Sequence, residues 1–357
     1  MPNSDQIRHK QLAKSWVVSQ RIQLRDRTLL PGLFQDLKEG IPDEAFAGPP
    51  FCIIQFITSI TEGYDAEICL PVTEAFGQES EMARLLPGRE VLSLIHQGPV
   101  GELGGSYRMI YAWAAERGIV SDEFCQEVYP DLERLEIQFV IHPWEKLLES
   151  NLSRVLGEEK ALQAAPGRDA LTAYSTLADR FRWVQRAVVN LEKAAEEGEC
   201  YEVLSRCAHV FPASQIAKLR EVFLESQQKG KGFLESVDAV IDFMARDPGW
   251  EEGGHREGYT IYSAKSPRDP AAFDQAETLE DRRKAYCFCP LIRENLDGGM
   301  PPVFCYCGSG WYRQQWEGAI GQPVKIEIVR SLLKGDELCE FAIQLPRVPA
   351  EISNDPS

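Results

Sequence analysis

The sequence has no run of lysine and arginine long enough to lay a basic face along a phosphate backbone. Acidic residues outnumber basic ones 55 to 38, for a net charge of −17. Nucleic acid is therefore not expected as a partner, and an anionic membrane surface is disfavoured for the same reason. No stretch approaches the roughly 18 consecutive apolar residues that cross a bilayer. The opening residues, MPNSDQIRHKQLAKSW, are polar and lack the apolar core of a secretory signal. A cytoplasmic location is the expectation, and the ten cysteines then read as reduced thiols or metal ligands, not as a disulfide framework. The C-x-x-C spacing of zinc knuckles is also missing.

With 357 residues, of which 44% are apolar and 26% charged, the chain can build more than one packed core. Three textures follow one another. Over 14–148, β-rich runs at 17–24, 51–57, 66–72, 90–98, 125–130 and 135–144 surround helical patterns at 29–40 and 106–118. Residues 145–246 are helical in pattern. A long helix is expected over 170–198, its stripe of Leu177, Phe181, Val184, Val188 and Leu191 packing into a core. A glycine-rich turn at 247–258 leads to a β-rich block over 259–347, and the tail beyond reads as frayed. The expected architecture is α+β, with domains over 14–148 and 155–347.

The first region repeats internally. Gly40-Ile41 recurs as Gly118-Ile119, Phe51-Cys52 as Phe124-Cys125, and Glu67-Ile68 as Glu136-Ile137, at offsets of 78, 73 and 69 residues. Each half reads strand, helix, strand, strand. About six strands covered on one face by two helices would make a two-layer domain.

Several ordered elements then carry a resemblance. They are GPPF before the second strand, the strand ending from Glu67 to Pro71 and Val72, HQGP at 96–99, Tyr107 and Trp113 on the helix, and Glu127-Val128-Tyr129. Together they resemble the GyrI-like small-molecule-binding domain, which includes the effector-binding domains of multidrug-responsive transcription regulators. The resemblance implies a groove between two repeated halves that takes apolar, often cationic ligands, with Glu127 facing the ligand. Aromatic walls give flat apolar contact and cation–π attraction, and a buried carboxylate fixes a cation. The candidate ligand-binding residues are Glu127, Tyr107, Tyr111, Trp113, Tyr129, Trp16 and Trp144. Tyr107 and Tyr111 share a helix face while Trp113 turns away, and Trp16 and Trp144 stand at the domain's ends, where they could close the groove. The plainer alternative makes Tyr107 and Trp113 core aromatics and Glu127 a solvated strand residue. Glu67 and Glu136 read as outward-pointing. Other members of the family resemble hydrolases that open strained electrophilic rings. In that role Glu127 would activate a water and Tyr107 donate a hydrogen bond, so both are also the catalytic candidates. The family's regulators carry a helix-turn-helix module ahead of this domain. Only about 15 residues precede the first strand here, and no basic recognition helix follows, so a stand-alone transcription factor is not expected.

The last region holds Cys287-Phe-Cys289, Cys305-Tyr-Cys307 and Cys339. If both C-x-C units were strands of one hairpin, their four sulfurs would form a square on one face, with zinc as the candidate metal. A redox-sensitive thiol cluster and buried thiols used as small apolar residues are the alternatives. Residues 316–343 also resemble the end of 4-vinyl-reductase-like small-molecule-binding domains, through Ile320-Gly321 with Pro323-Val324 and through Gly335, Asp336, Cys339 and Phe341. Zinc-binding members have a cysteine where this chain has Ser331. No oligomer interface is legible.

Overall fold

Alternating apolar residues build the first sheet. The computed structural model describes residues 6–55, 64–130, 134–167, 171–211, 213–246 and 254–347. Its chain divides into two compact units, Met1–Pro143 with Asp169–Arg180, and Trp144–Arg168 with Phe181–Ser357. The architecture is α+β.

In the first unit the strands are β1 (Arg8–Leu12), β2 (Ser15–Leu24), β3 (Phe51–Gln55), β4 (Tyr64–Val72), β5 (Ala83–Leu86), β6 (Arg89–His96), β7 (Ser121–Val128) and β8 (Leu135–Ile141). The helices are α1 (Leu30–Lys38), α2 (Glu74–Glu79) and α3 (Leu103–Glu116). All eight strands form one antiparallel sheet in the order β1-β6-β8-β7-β3-β4-β2-β5. The sheet is thus two strands wider than six, because β1 and β5 add an edge to each side. Phe56 and Ile57, expected at the end of a strand, lie outside the described residues.

The duplication is visible in this order. β2-α1-β3-β4 and β6-α3-β7-β8 are the same unit, and they lie in the sheet as β2-β4-β3 against β6-β8-β7. The offset of 73 residues holds the register. Phe51 pairs with Val128 and Phe124 with Gln55, while Ile53 pairs with Gln126, its own counterpart. The helices agree, since α1 starts at Leu30 and α3 at Leu103. Both run out at a glycine with positive φ, Gly40 at 82° and Gly118 at 63°, a conformation that a side chain would strain. The Glu67–Glu136 recurrence is displaced by two residues, however. Ile53 faces Glu67 and Gln126 faces Gln138, so Gln138 is the counterpart of Glu67.

Two apolar cores lie under the helices. One joins Val18, Leu30, Phe34, Cys52, Ile54, Ile68 and Cys125. The other joins Leu92, Leu94, Leu103, Ile110, Trp113, Ile137 and Phe139. The opposite face of the sheet carries ion pairs. Glu67 meets Arg84 at 2.5 Å and Glu136 meets Lys10 at 2.7 Å. Burial pushes the Glu136 carboxyl up, but hydrogen bonds from Lys10, Ser93 and Gln138 outweigh it and hold the group below its usual range. A depressed folded pKa stabilises the fold above the unfolded value of about 4.3, and the gain disappears as pH falls through the folded pKa. Glu136→Gln is therefore expected to lower the urea midpoint at pH 7 and to match wild type near pH 3. An equal gap at both pH values would contradict this.

The second unit is built from α4 (Trp144–Leu156), α5 (Glu158–Ala164), α6 (Leu177–Ala194, from Phe181 on), α7 (Glu197–Leu204), α8 (Ala213–Gln228) and α9 (Phe233–Arg246). It continues with β9 (His255–Glu257), β10 (Thr260–Ala264), α10 (Pro270–Gln275), α11 (Leu279–Tyr286), α12 (Pro290–Arg293), α13 (Tyr306–Ile320), β11 (Lys325–Arg330) and β12 (Glu340–Gln344). Its sheet runs β11-β12-β10-β9, all antiparallel. The expected helix over 170–198 is shorter and broken. Thr176 starts α6 by accepting a hydrogen bond from the Asp179 amide at 3.1 Å, and a capping box between Glu196 and Glu199 starts α7.

The C-x-C hairpin does not form. Cys287 ends α11, Cys289 caps α12 ahead of Pro290, and Cys305 and Cys307 flank the start of α13. A proline suits the first helical turn and a β-ladder does not, and two residues apart on a helix point different ways. The five thiols are close enough to influence one another. Burial pushes all of them up, Cys307 to about 12, so they stand as neutral thiols. Among the described residues no group of three or more His, Cys, Asp or Glu side chains is placed to hold a metal ion. No described helix is long and apolar enough to cross a membrane.

Candidate functional site

Strand parity places Glu127. On β7, Cys125 points into the helix-covered core, so Glu127, two residues on, points there too. Its exposure is 0%. Cys52 of β3 and Ile137 of β8 flank it in register. Tyr107 and Tyr129 pack against both apolar cores, so the carboxylate lies at the seam where the two repeats meet.

An isolated carboxylate at such a place would be neutralised. Three side chains offset the cost of burying this one. Arg27 approaches side-on, with Nε donating to Oε1 and Oε2 at 3.1 and 2.9 Å and Nη2 donating to Oε1 at 2.8 Å. The Tyr107 hydroxyl donates to Oε1 and the Tyr129 hydroxyl to Oε2, each at 2.6 Å. Tyr107 has spent its proton on Glu127, so the Cys125 thiol is the donor in their 3.0 Å contact. Burial first, and then the Glu127 charge, push the Tyr129 hydroxyl far above its ordinary value. Burial likewise raises Tyr107 and Cys125; Cys125 and Glu127 add to the rise at Tyr107, while at Cys125 the Glu127 charge adds to it and the contact with Tyr107 opposes it. The tyrosines are thus permanent donors. Burial lowers the Arg27 pKa, but Glu127 more than reverses this and the guanidinium stays charged.

Arg27 sits in a single 3-10 turn, Arg27–Leu29, just before α1. Asp26 sets that turn by accepting from the Thr28 amide at 2.9 Å, a bond that also lowers the Asp26 pKa. The guanidinium lies over the Tyr64 ring, 5.4 Å from its centroid. A carboxylate has about four lone-pair sites, and these contacts occupy them. Glu127 cannot activate a water in this arrangement unless one of its donors leaves.

The structure brings together Glu127, Tyr107 and Tyr129 of the expected site residues. It places the others elsewhere. Tyr111 leans edge-on against Phe139 at 4.6 Å and is 41% exposed. Trp113 is a core residue with Arg117 over its ring at 3.9 Å and Tyr174 at its edge. Trp16 stands against Gly77 of α2, where an added Cβ would come within 2.6 Å of its own. Trp144 belongs to the second unit. Its indole N–H donates to Cys307 Sγ at 3.2 Å, and its ring meets Phe304 at 5.5 Å. His96 is satisfied, by Ser106 at 2.9 Å and the Pro99 carbonyl at 3.1 Å. Arg27 and Tyr64 were not legible beforehand, since Arg27 reads as one more charge in a polar turn.

No protein-family model and no curated protein matches the chain. Parts of it are similar to solved structures. The chain in a cryo-EM structure of an EcmrR–DNA complex is 22% identical with a TM-score of 0.33, over 38% of this chain and 57% of that one. The crystallised EcmrR C-terminal domain is 20% identical at a TM-score of 0.32, over 38% of this chain and 96% of that one. SAV2435 bound to tetraphenylphosphonium is 14% identical at 0.28, over 39% and 96%. The likeness thus spans little more than half of the chain in the DNA complex. The charge-based exclusion of nucleic acid does not hold, and one of the similar chains was solved on DNA. Net charge is a sum over a whole chain, and contact with DNA needs only a local basic face or another module.

Proposed function

We propose that the first unit binds a small apolar or cationic molecule at the seam beside Glu127, in a role of sensing, sequestration or detoxification. The observation that carries this reading is a fully buried carboxylate held by one arginine and two tyrosine hydroxyls between two apolar half-cores. Buried charge of this kind is a weak device for stability and an effective one for recognition. Tyr64, Tyr107 and Tyr129 supply flat apolar surface around it. The test is a fluorescence titration with tetraphenylphosphonium and with triphenylphosphine oxide as a neutral partner, on wild type and Glu127→Gln. The cation is expected to bind wild type and to lose at least about tenfold in affinity in the variant, which is 1.4 kcal/mol. The neutral compound is expected to bind both alike. Equal cation affinity in the two proteins would sink the reading.

A further inference from the structure

We propose that Arg27 is a tethered competitor for the ligand: the free protein holds its own guanidinium on Glu127, and a cationic ligand binds by displacing it. This rests on the binding reading above. The first support is the repeat. Seventy-three residues separate Phe34 from Tyr107, Ile54 from Glu127 and Arg27 from Val100, so these three polar members of the site have apolar counterparts at the equivalent places. The fold therefore packs without this ion pair, since the twin position does. Apolar replacements of buried pairs are commonly neutral or better for stability, so a pair found at one twin only is not explained by folding.

The second support is asymmetry of access. Glu127 has no exposed side-chain surface, whereas Arg27 is 22% exposed. Its neighbours Asp26 and Thr28 are exposed in a one-turn element. Only the arginine end of the pair can swing out to water. Among the described residues its side chain hydrogen-bonds to Glu127 and lies over Tyr64, so leaving breaks no hydrogen bond to a third residue. What it vacates is a carboxylate, two hydroxyls and the face of Tyr64, which are the groups a second cation needs. Because the guanidinium leaves charged, a neutral ligand has no means of driving it off the carboxylate.

The experiment titrates the full chain with tetraphenylphosphonium and with triphenylphosphine oxide, using wild type, Arg27→Met and Arg27→Lys. Met keeps an unbranched stem without charge, and Lys keeps the charge without the fork. Arg27→Met is expected to bind the cation at least about tenfold more tightly than wild type, Arg27→Lys to fall between, and the neutral compound to change less than about twofold. Cation binding no tighter in Arg27→Met overturns the inference. If that binding still depends on Glu127, the binding reading survives. No cation binding by any of these proteins overturns both. Should Arg27→Met fail to fold, nitrogen-15 NMR of the Arg27 Nε–H in wild type decides instead. The protected signal is expected to disappear at saturation with the cation, and its persistence overturns the inference.

Discussion

Glu127→Ala is expected to lower the unfolding free energy by about 3 kcal/mol, read from urea denaturation at pH 7. Removing one partner of a buried pair typically removes about 3–5 kcal/mol, because the other charge stays behind unpaired. The lower end applies here, since Arg27 is 22% exposed and can turn toward water. Tyr107 and Tyr129 also lose the acceptor that each now reaches at 2.6 Å. Replacing both charges tests the explanation. Glu127→Ile with Arg27→Met copies the apolar composition of the twin position, where Ile54 is wholly buried. That double variant is expected to recover most of the loss and to reach wild-type stability within about 1 kcal/mol. A double variant less stable than Glu127→Ala would mean that the polar site is required for packing.

Gly310→Ala is expected to destabilise the second unit by more than about 3 kcal/mol or to prevent its folding. Position 310 lies inside α13, where alanine is intrinsically favoured over glycine by about 1 kcal/mol, so propensity alone predicts a gain. Close approach decides the sign. A Cβ at 310 would fall onto the carbonyl oxygen of Ser205 and come within 2.6 Å of the Ala208 Cβ. Both obstacles are backbone or stem atoms with no rotamer to relieve them. Gly308 on the same helix is the control, because a Cβ there meets nothing nearer than the Phe341 ring at 3.7 Å. Gly308→Ala is expected to be neutral or slightly stabilising. Similar melting temperatures for the two variants would refute the packing argument.

What the sequence made legible is what local periodicity encodes. β2, β4, β6 and β8 fall on β-rich apolar runs, and the glycine stops at Gly40 and Gly118 close two helices that do end there. The order of elements carried the duplication as well, because a repeat conserves order even when loops differ. Glu127 was legible through the Glu127-Val128-Tyr129 motif of the resemblance, and parity with the buried Cys125 on the same strand agrees with it. Its arginine was not, since Arg27 lies 100 residues away and nothing around it is patterned. The C-x-C segments misled for another reason. Phe and Tyr favour strands in isolation, but Gly310 lets α13 press against the Ser205 turn, and that tertiary contact overrides propensity. Trp144 is likewise placed by a distant partner, Cys307.

The twinned first unit also constrains the order in which its polar site could have arisen by descent. Position 100, the counterpart of Arg27, is 51% exposed, so a basic residue at such a turn is harmless by itself. Position 54, the counterpart of Glu127, is at 0%, and an acid there without a neighbour of opposite charge would be purged. An ancestor with two identical halves could therefore accept the arginine first and the glutamate second, but not the reverse.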